Sequence, residues 1–221
     1  MHDFVNNLIL IQKEVQLKLL EVKRTDKKTN IIAISKTFPI SHILPVINHG
    51  HIHFGENKVQ EAILKWNDIK SDFHNIKLHM VGKLQSNKVK HALSIFDYIH
   101  SLDNLKLAEK ISIEQKKLNK KVKIFIQVNI GNEQQKSGIL KDNLSKFLFK
   151  CTRELDLNII GLMCLPPNTN DPSKYFIEMK KLLNKTDLKE LSMGMSVDYM
   201  EALEHNSTFL RIGTKIFGNR S

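Results

Sequence analysis

The sequence predicts a (β/α)8 barrel, and three observations carry that expectation. Short apolar runs, eight in number, alternate with longer amphipathic segments along the chain. Alternation of this kind builds a parallel sheet through right-handed crossovers. The length of 221 residues suits eight such units. The residues that carry chemistry gather just after the apolar runs, where either parallel-sheet architecture places its ligand site. An open doubly wound sheet is the alternative with the same placement.

Residues 1–23 read as an amphipathic helix ahead of the first strand, with Phe4, Leu8, Ile11, Val15, Leu19 and Val22 on one face. The first strand, 31–35, is β-branched and small apolar, and Pro39 marks its end. Lys36 therefore stands at the C-terminal mouth of a core strand. The second strand, 52–54, runs into Gly55-Glu56-Asn57 and a helix over 56–66. The third, 77–81, ends at Gly82. The fourth, 98–100, precedes Ser101-Leu102-Asp103-Asn104, a helix-start signal for 102–118. The fifth, 123–129, and a helix over 141–151 flank Gly131. The sixth, 158–163, leads through Pro167 to Asp171-Pro172 and a helix over 173–184. The seventh, 190–192, passes Gly194-Met195-Ser196, with Ser196 expected as the N-cap of a helix starting near Val197-Asp198. The eighth, 208–212, ends in Gly213-Thr214.

Composition excludes several classes. Hydrophobic content of 41% and aromatic content of 7% are those of an ordinary globular protein. No apolar run approaches the roughly 20 residues of a membrane span, and the N-terminal stretch carries no signal-peptide core, so no membrane partner and a cytoplasmic location are expected. The net charge of +11 is nearly all lysine, with arginine only at Arg24, Arg153, Arg211 and Arg220. Lysine spread over most helices, without an arginine tract or interleaved aromatics, predicts no nucleic-acid partner. Cys151 and Cys164 form no CxxC pair and read as small buried apolar residues. His49, His51 and His53 alternate as ligands on one face might, but no Cys/His set completes four, and no metal site is expected. Glu56 and Glu61 are expected to pair with Lys58 or Lys65 on a solvated helix face. Lys136 is expected to be surface charge, with a secondary phosphate contact as the alternative.

Two features carry chemistry. An amine at a strand mouth is partly desolvated, and desolvation favours the neutral form that attacks an aldehyde. The bland alternative is a lysine whose stem leaves the strand and whose head reaches water. Gly194-Met195-Ser196 and Arg211-Ile212-Gly213-Thr214 end the last two strands and would offer hydroxyls and backbone N–H groups to an anion such as phosphate. A phosphate cradle beside an aldehyde-accepting lysine suggests pyridoxal 5′-phosphate (PLP).

Longer motifs sharpen this. Ala33-Ile34-Ser35-Lys36-Thr37, His53-Phe54-Gly55-Glu56-Asn57-Lys58-Val59-Gln60-Glu61, His79-Met80-Val81-Gly82-Lys83-Leu84-Gln85-Ser86-Asn87-Lys88, Lys136-Ser137-Gly138, Leu191-Ser192-Met193-Gly194-Met195-Ser196-Val197-Asp198 and Arg211-Ile212-Gly213-Thr214-Lys215-Ile216-Phe217-Gly218 occur in this order. Together they resemble the YggS/PROSC family of PLP homeostasis proteins over Ile31 to Gly218. The resemblance implies a single domain over 1–221, an alanine-racemase-like (β/α)8 TIM barrel with an extra N-terminal helix. It implies PLP held as a Schiff base on Lys36, with Ser196, Gly213 and Thr214 at the phosphate, Arg211 at the pyridine nitrogen and Asn57 at the ring edge. Met195 and His79 would form pocket wall. Leu78, Lys83 and Lys58 depart from the family's usual aromatic, proline and tyrosine, which alters the expected pocket wall and loops.

The implied function is storage, buffering or delivery of PLP, with PLP-dependent apo-enzymes as transient acceptors, a monomeric state and no catalytic residue. An arginine donates and cannot accept a proton, so the pyridine nitrogen would stay neutral, which argues against transamination and decarboxylation. Racemases on this barrel add a tyrosine base from a C-terminal domain. The sequence ends at Ser221, and Tyr98, Tyr175 and Tyr199 sit in no second-base motif. The enzyme alternative is a low-activity PLP-dependent amino-acid racemase; a third reading is a basic RNA-associated barrel without cofactor.

Overall fold

The computed structural model describes residues 3–24, 29–169 and 171–219. The first two residues of the expected N-terminal helix, and Arg220 and Ser221, lie outside the described residues. In chain order the elements are α1 (Asp3–Glu21), β1 (Asn30–Ile34), α2 (Ile40–Asn48), β2 (His53–Glu56), α3 (Val59–Asp72), β3 (Lys77–Met80), α4 (Val89–Ile95) and β4 (Tyr98–Leu102). There follow α5 (Leu105–Leu118), β5 (Lys123–Val128), α6 (Leu144–Phe149), β6 (Ile159–Cys164), α7 (Ser173–Leu183), β7 (Glu190–Met195), α8 (Tyr199–Glu204), β8 (Phe209–Ile212) and α9 (Thr214–Phe217). The strands pair in sequence order, all parallel, and β8 pairs with β1, which closes the barrel. The closed barrel, and not the open sheet, is therefore the fold.

Closure follows from the residue pattern. Each strand carries apolar side chains on both faces, because one face meets the helices and the other fills the barrel. Helix-facing residues such as Ala33, Phe54, Leu78, Ile124 and Leu191 join the large outer core. Ile32, Ile34, Tyr98, Phe125, Met163 and Phe209 form a separate cluster inside the barrel. The inner face also holds polar residues, and these build the site.

α1 buries Val5, Leu8, Ile11 and Val15, and packs chiefly on α8 and α9. Its Glu14 carboxylate accepts a hydrogen bond from the Tyr199 hydroxyl of α8. α5 starts as its sequence predicts, with the Asn104 side chain accepting from the Leu107 N–H at 2.9 Å. α2 retains Pro45 in its interior. α6 lies between a 3₁₀ turn, Lys141–Asn143, and a π turn, Lys150–Glu154.

Two boundaries differ from expectation for physical reasons. Glu56 is the last residue of β2 instead of the first of a helix, because its carboxylate is locked between the strand and α3 by Ser35, Lys65 and Trp66 and holds the chain extended until α3 begins at Val59. The helix after β7 begins at Tyr199, and Asp198, not Ser196, takes the N-cap position. The Asp198 side chain accepts from the Met195 N–H at 2.6 Å and closes the turn first. Gly194 permits that turn with φ +89°, and a Cβ there would lie 2.6 Å from Ala202 Cβ. Among the described residues no helix is long and apolar enough to cross a membrane.

Candidate functional site

Strand ends at the C-terminal mouth surround a cavity of about 600 Å³. All seven residues that the sequence singles out for a cofactor, Lys36, Asn57, Met195, Ser196, Arg211, Gly213 and Thr214, line it. They come from strands β1, β2, β7 and β8 and the turns after them, so closure of the barrel is what brings them together.

Lys36 is aimed by the residues on either side of it. The Ser35 N–H donates to Gly55 O at 3.0 Å, and its hydroxyl donates to Glu56 Oε1 at 2.8 Å. The Ser35 carbonyl accepts from Lys65 Nζ at 3.0 Å. Thr37 then takes φ +68°, a left-handed conformation uncommon for a β-branched residue, and its N–H donates to Glu61 Oε1 at 2.7 Å. Lys65 Nζ binds both Glu56 Oε1 (3.0 Å) and Glu61 Oε1 (3.1 Å), and the Trp66 indole N–H donates to the same Glu56 oxygen at 3.0 Å. Glu56 is fully buried, which corrects its expected place on a solvated helix face. Burial raises its pKa, opposed by Lys65, Trp66 and Ser35. A buried carboxylate thus organises the backbone on both sides of Lys36.

Across the mouth, Ser196 Oγ accepts from the Gly213 N–H at 3.3 Å, which ties the turn after β7 to the start of α9. Gly82, after β3, lies against Asn57; a Cβ there would come within 2.4 Å of the Asn57 carbonyl oxygen. Arg211 is buried in β8, with Nη1 donating to Ser192 Oγ at 2.7 Å and Nη2 to Cys164 O at 2.8 Å. Burial lowers the Arg211 pKa from its ordinary value, and the charge of Asp198 opposes this. Burial pushes the Cys164 thiol up to about 12, so it stands beside Arg211 as a neutral group.

Two sequence expectations change. Lys136 is not simple surface charge: it lines the cavity, pairs with Glu133 Oε2 at 2.6 Å and donates to Pro166 O at 3.1 Å. His79 does not line the cavity. It lies fully buried in the barrel interior, hydrogen-bonded to His53 and His100. His51 is buried and its Nε2 meets His53 O at 2.9 Å, so the three alternating histidines do not converge. Among the described residues no group of three or more His, Cys, Asp or Glu could hold a metal ion.

Ser192, Cys164 and His100 support Arg211 and escaped the sequence reading. The available signal was a polar residue at an inward position of a core strand, which must find a buried partner. The cavity carries the side chains of Lys36, Lys83, Lys136 and Arg211, and among the described residues no Asp or Glu lines it. Such a wall suits an anionic ligand. An amine, a guanidinium, hydroxyls on two turns and backbone N–H groups at the start of α9 form a donor set that fits PLP, which presents a phosphate, an aldehyde and a ring nitrogen.

Comparison with known proteins finds relatives of the same family and fold. Residues 16–221 match the family model described as alanine racemase, N-terminal domain. The pyridoxal phosphate homeostasis protein of Haemophilus influenzae is 35% identical, over 98% of this chain and 95% of its own. The solved structure of PipY from Synechococcus elongatus with PLP bound superposes with a TM-score of 0.80 at 31% identity, covering 92% of this chain and all of that one. Alanine racemase of Clostridium difficile shares the fold, with a TM-score of 0.68 at 12% identity, and this chain covers 56% of it.

Proposed function

Because the chain belongs to the alanine racemase N-terminal domain family, among the pyridoxal phosphate homeostasis proteins, we propose that it binds PLP and serves PLP homeostasis by storing, buffering or delivering the cofactor without robust turnover. The proposal takes residues 1–221 as one cofactor-binding domain that works as a monomer in the cytoplasm. PLP-dependent apo-enzymes would be the transient acceptors.

The Lys36 amine is the covalent tether for the cofactor's aldehyde. Ser196, Gly213 and Thr214 surround its phosphate, Arg211 meets its ring nitrogen, Asn57 bounds the ring edge and Met195 the wall. PLP, when bound to an enzyme, supplies an electron sink whose strength depends on protonation of the ring nitrogen. The observation that weighs against transamination and decarboxylation is Arg211. It is buried on the cavity wall and hydrogen-bonded to Ser192 and Cys164 O. A guanidinium only donates hydrogen bonds, so facing the ring nitrogen it would keep that nitrogen unprotonated and the sink weak.

The racemase alternative needs a second acid/base on the far side of the substrate. Tyr98 stacks on His79 inside the barrel. Tyr199 is engaged by Glu14 and Lys215, and Tyr175 sits on α7. None of the three lines the cavity. Incubating the PLP-loaded protein with L-alanine or L-serine in D2O and following the α-proton separates the readings. Exchange no faster than with free PLP is expected, and exchange well above that rate would overturn the non-catalytic reading.

A further inference from the structure

The barrel interior contains an unbroken line of polar contacts that starts at Arg211 and leads away from the cavity. Arg211 Nη1 lies 2.7 Å from Ser192 Oγ, and Ser192 Oγ lies 2.9 Å from His100 Nδ1. His100 Nε2 lies 2.9 Å from His79 Nδ1, and His79 Nε2 lies 2.9 Å from His53 Nδ1. Ser192, His100 and His79 are fully buried. We propose that this is a one-way hydrogen-bond chain, Arg211 to Ser192 to His100 to His79 to His53, and that Ser192 and His100 are positioning residues that fix Arg211 as a donor toward the cavity. What Arg211 faces rests on the PLP reading above; the chain itself does not.

Its direction follows from donor counting. Arg211 has no acceptor, so Ser192 Oγ accepts. A hydroxyl carries one proton, and the remaining partner of Ser192 is His100 Nδ1, so that proton goes there. His100 Nδ1 is then an acceptor and the ring carries its proton on Nε2, which donates to His79 Nδ1. His79 likewise donates from Nε2 to His53 Nδ1. In the reverse direction His100 Nδ1 would donate to Ser192, and the serine proton would lack an acceptor in a fully buried place, at a large desolvation cost. One permanently charged donor therefore sets the tautomer of each histidine behind it.

The rings cannot easily turn to another arrangement. His100 stacks on Phe125 with centroids 4.3 Å apart and planes at 21°, and His79 stacks on Tyr98 at 4.2 Å and 15°. Phe209 packs against His53, His79 and His100. Burial and nearby cationic groups hold His79 and His100 well below their ordinary values, so both stay neutral. Ser192, His100 and His79, the three residues next in line behind Arg211, are a hydroxyl and two imidazoles. The guanidinium is thus hydrogen-bonded to neutral groups, the Ser192 hydroxyl and the Cys164 carbonyl, with neutral His100 behind Ser192.

The test has one arm without cofactor. In the apo protein near pH 7, nitrogen-15 histidine spectra should show His79 and His100 protonated on Nε2 alone. A doubly protonated ring, or Nδ1–H at either residue, would overturn the chain. The second arm uses PLP and the variants His100→Phe, Ser192→Ala and Ser192→Thr. Phenylalanine keeps a flat ring against Phe125 and removes both nitrogens. In His100→Phe and Ser192→Ala the absorption maximum of bound PLP should shift and PLP release should quicken ~10-fold, the scale of a lost hydrogen bond to a charged group. Ser192→Thr should restore both readouts. If His100→Phe does not fold, the two serine variants decide. Unchanged spectrum and release in a folded variant would overturn the positioning role. Failure of the wild type to take up PLP would overturn the reading of the cavity and leave the apo spectra to judge the chain.

Discussion

Glu56→Ala should destabilise the protein by about 3–5 kcal/mol, the scale for removing one partner of a buried ion pair. The Glu56 Oε1 atom serves three donors at once, the Ser35 hydroxyl, the Lys65 ammonium and the Trp66 indole N–H. Lys65 would retain Glu61, whose side chain is 28% exposed, so part of its charge stays balanced. The fully buried Trp66 indole N–H would lose its acceptor, and the fully buried Ser35 hydroxyl would be left with only its longer contact to Gly55 O at 3.4 Å. Glu56→Gln keeps an acceptor but removes the charge opposite Lys65, and should fall between Ala and wild type. Urea unfolding monitored by Trp66 fluorescence measures the loss. A midpoint shift corresponding to less than about 1 kcal/mol would show that the cluster contributes little beyond packing. Because Ser35 and Thr37 are held by this cluster, folded Glu56→Gln should also hold PLP more loosely at Lys36.

Acidification below about pH 6.5 should weaken folding steeply. His51, His79 and His100 are buried, and burial is the leading cause that lowers each of them. His51 falls to about 4. Around His79 stand His100, His53, His51 and Lys123, and around His100 stand Arg211 and His53, all of which disfavour a further positive charge. The sign is fixed by proton binding. Below the unfolded value the unfolded chain takes up protons that the folded chain refuses, so stability falls with pH. Each histidine contributes a slope of about 1.4 kcal/mol per pH unit, or about 4 kcal/mol for the three together. For His51 the loss levels off near pH 4. Glu56 and Asp198 act in the opposite sense, since burial raises both and protonation relieves them. Urea midpoints at pH 7.5, 6 and 5 give the slope, and folded His100→Phe should lower it by one proton. A stability independent of pH between 6 and 5 would contradict the neutral, buried assignment.

Much of this was legible in the chain because parallel barrels write their topology locally. Runs such as Ile31-Ile32-Ala33-Ile34 can only be buried on both faces, and the amphipathic stretch ending in Leu118 can only cover a sheet. The cavity residues were legible because they stand next to strand ends, as Lys36, Asn57 and Gly213 do. What stayed hidden depends on long-range pairing. Glu56 reads as a helix-start acid, and only the register of β1 against β2 brings it to Ser35. Ser196 reads as an N-cap until Asp198 is seen to take that position. His53, His79 and His100 are separated by 26 and 21 residues, and nothing local links them. Each stands at an inward position of an apolar strand, which signals a buried partner without naming it.

The central claim is that Lys36 tethers PLP in the cavity between β1 and β8. Borohydride reduction of the PLP-loaded protein, followed by proteolysis and mass mapping, tests it directly. Among the described residues three lysines line the cavity, Lys36, Lys83 and Lys136, so the label has real alternatives. The predicted result is a reduced pyridoxyl label on Lys36, lost in Lys36→Ala without transfer to another lysine. A label on Lys83 or Lys136 with Lys36 unmodified, or no label at all, would contradict the account.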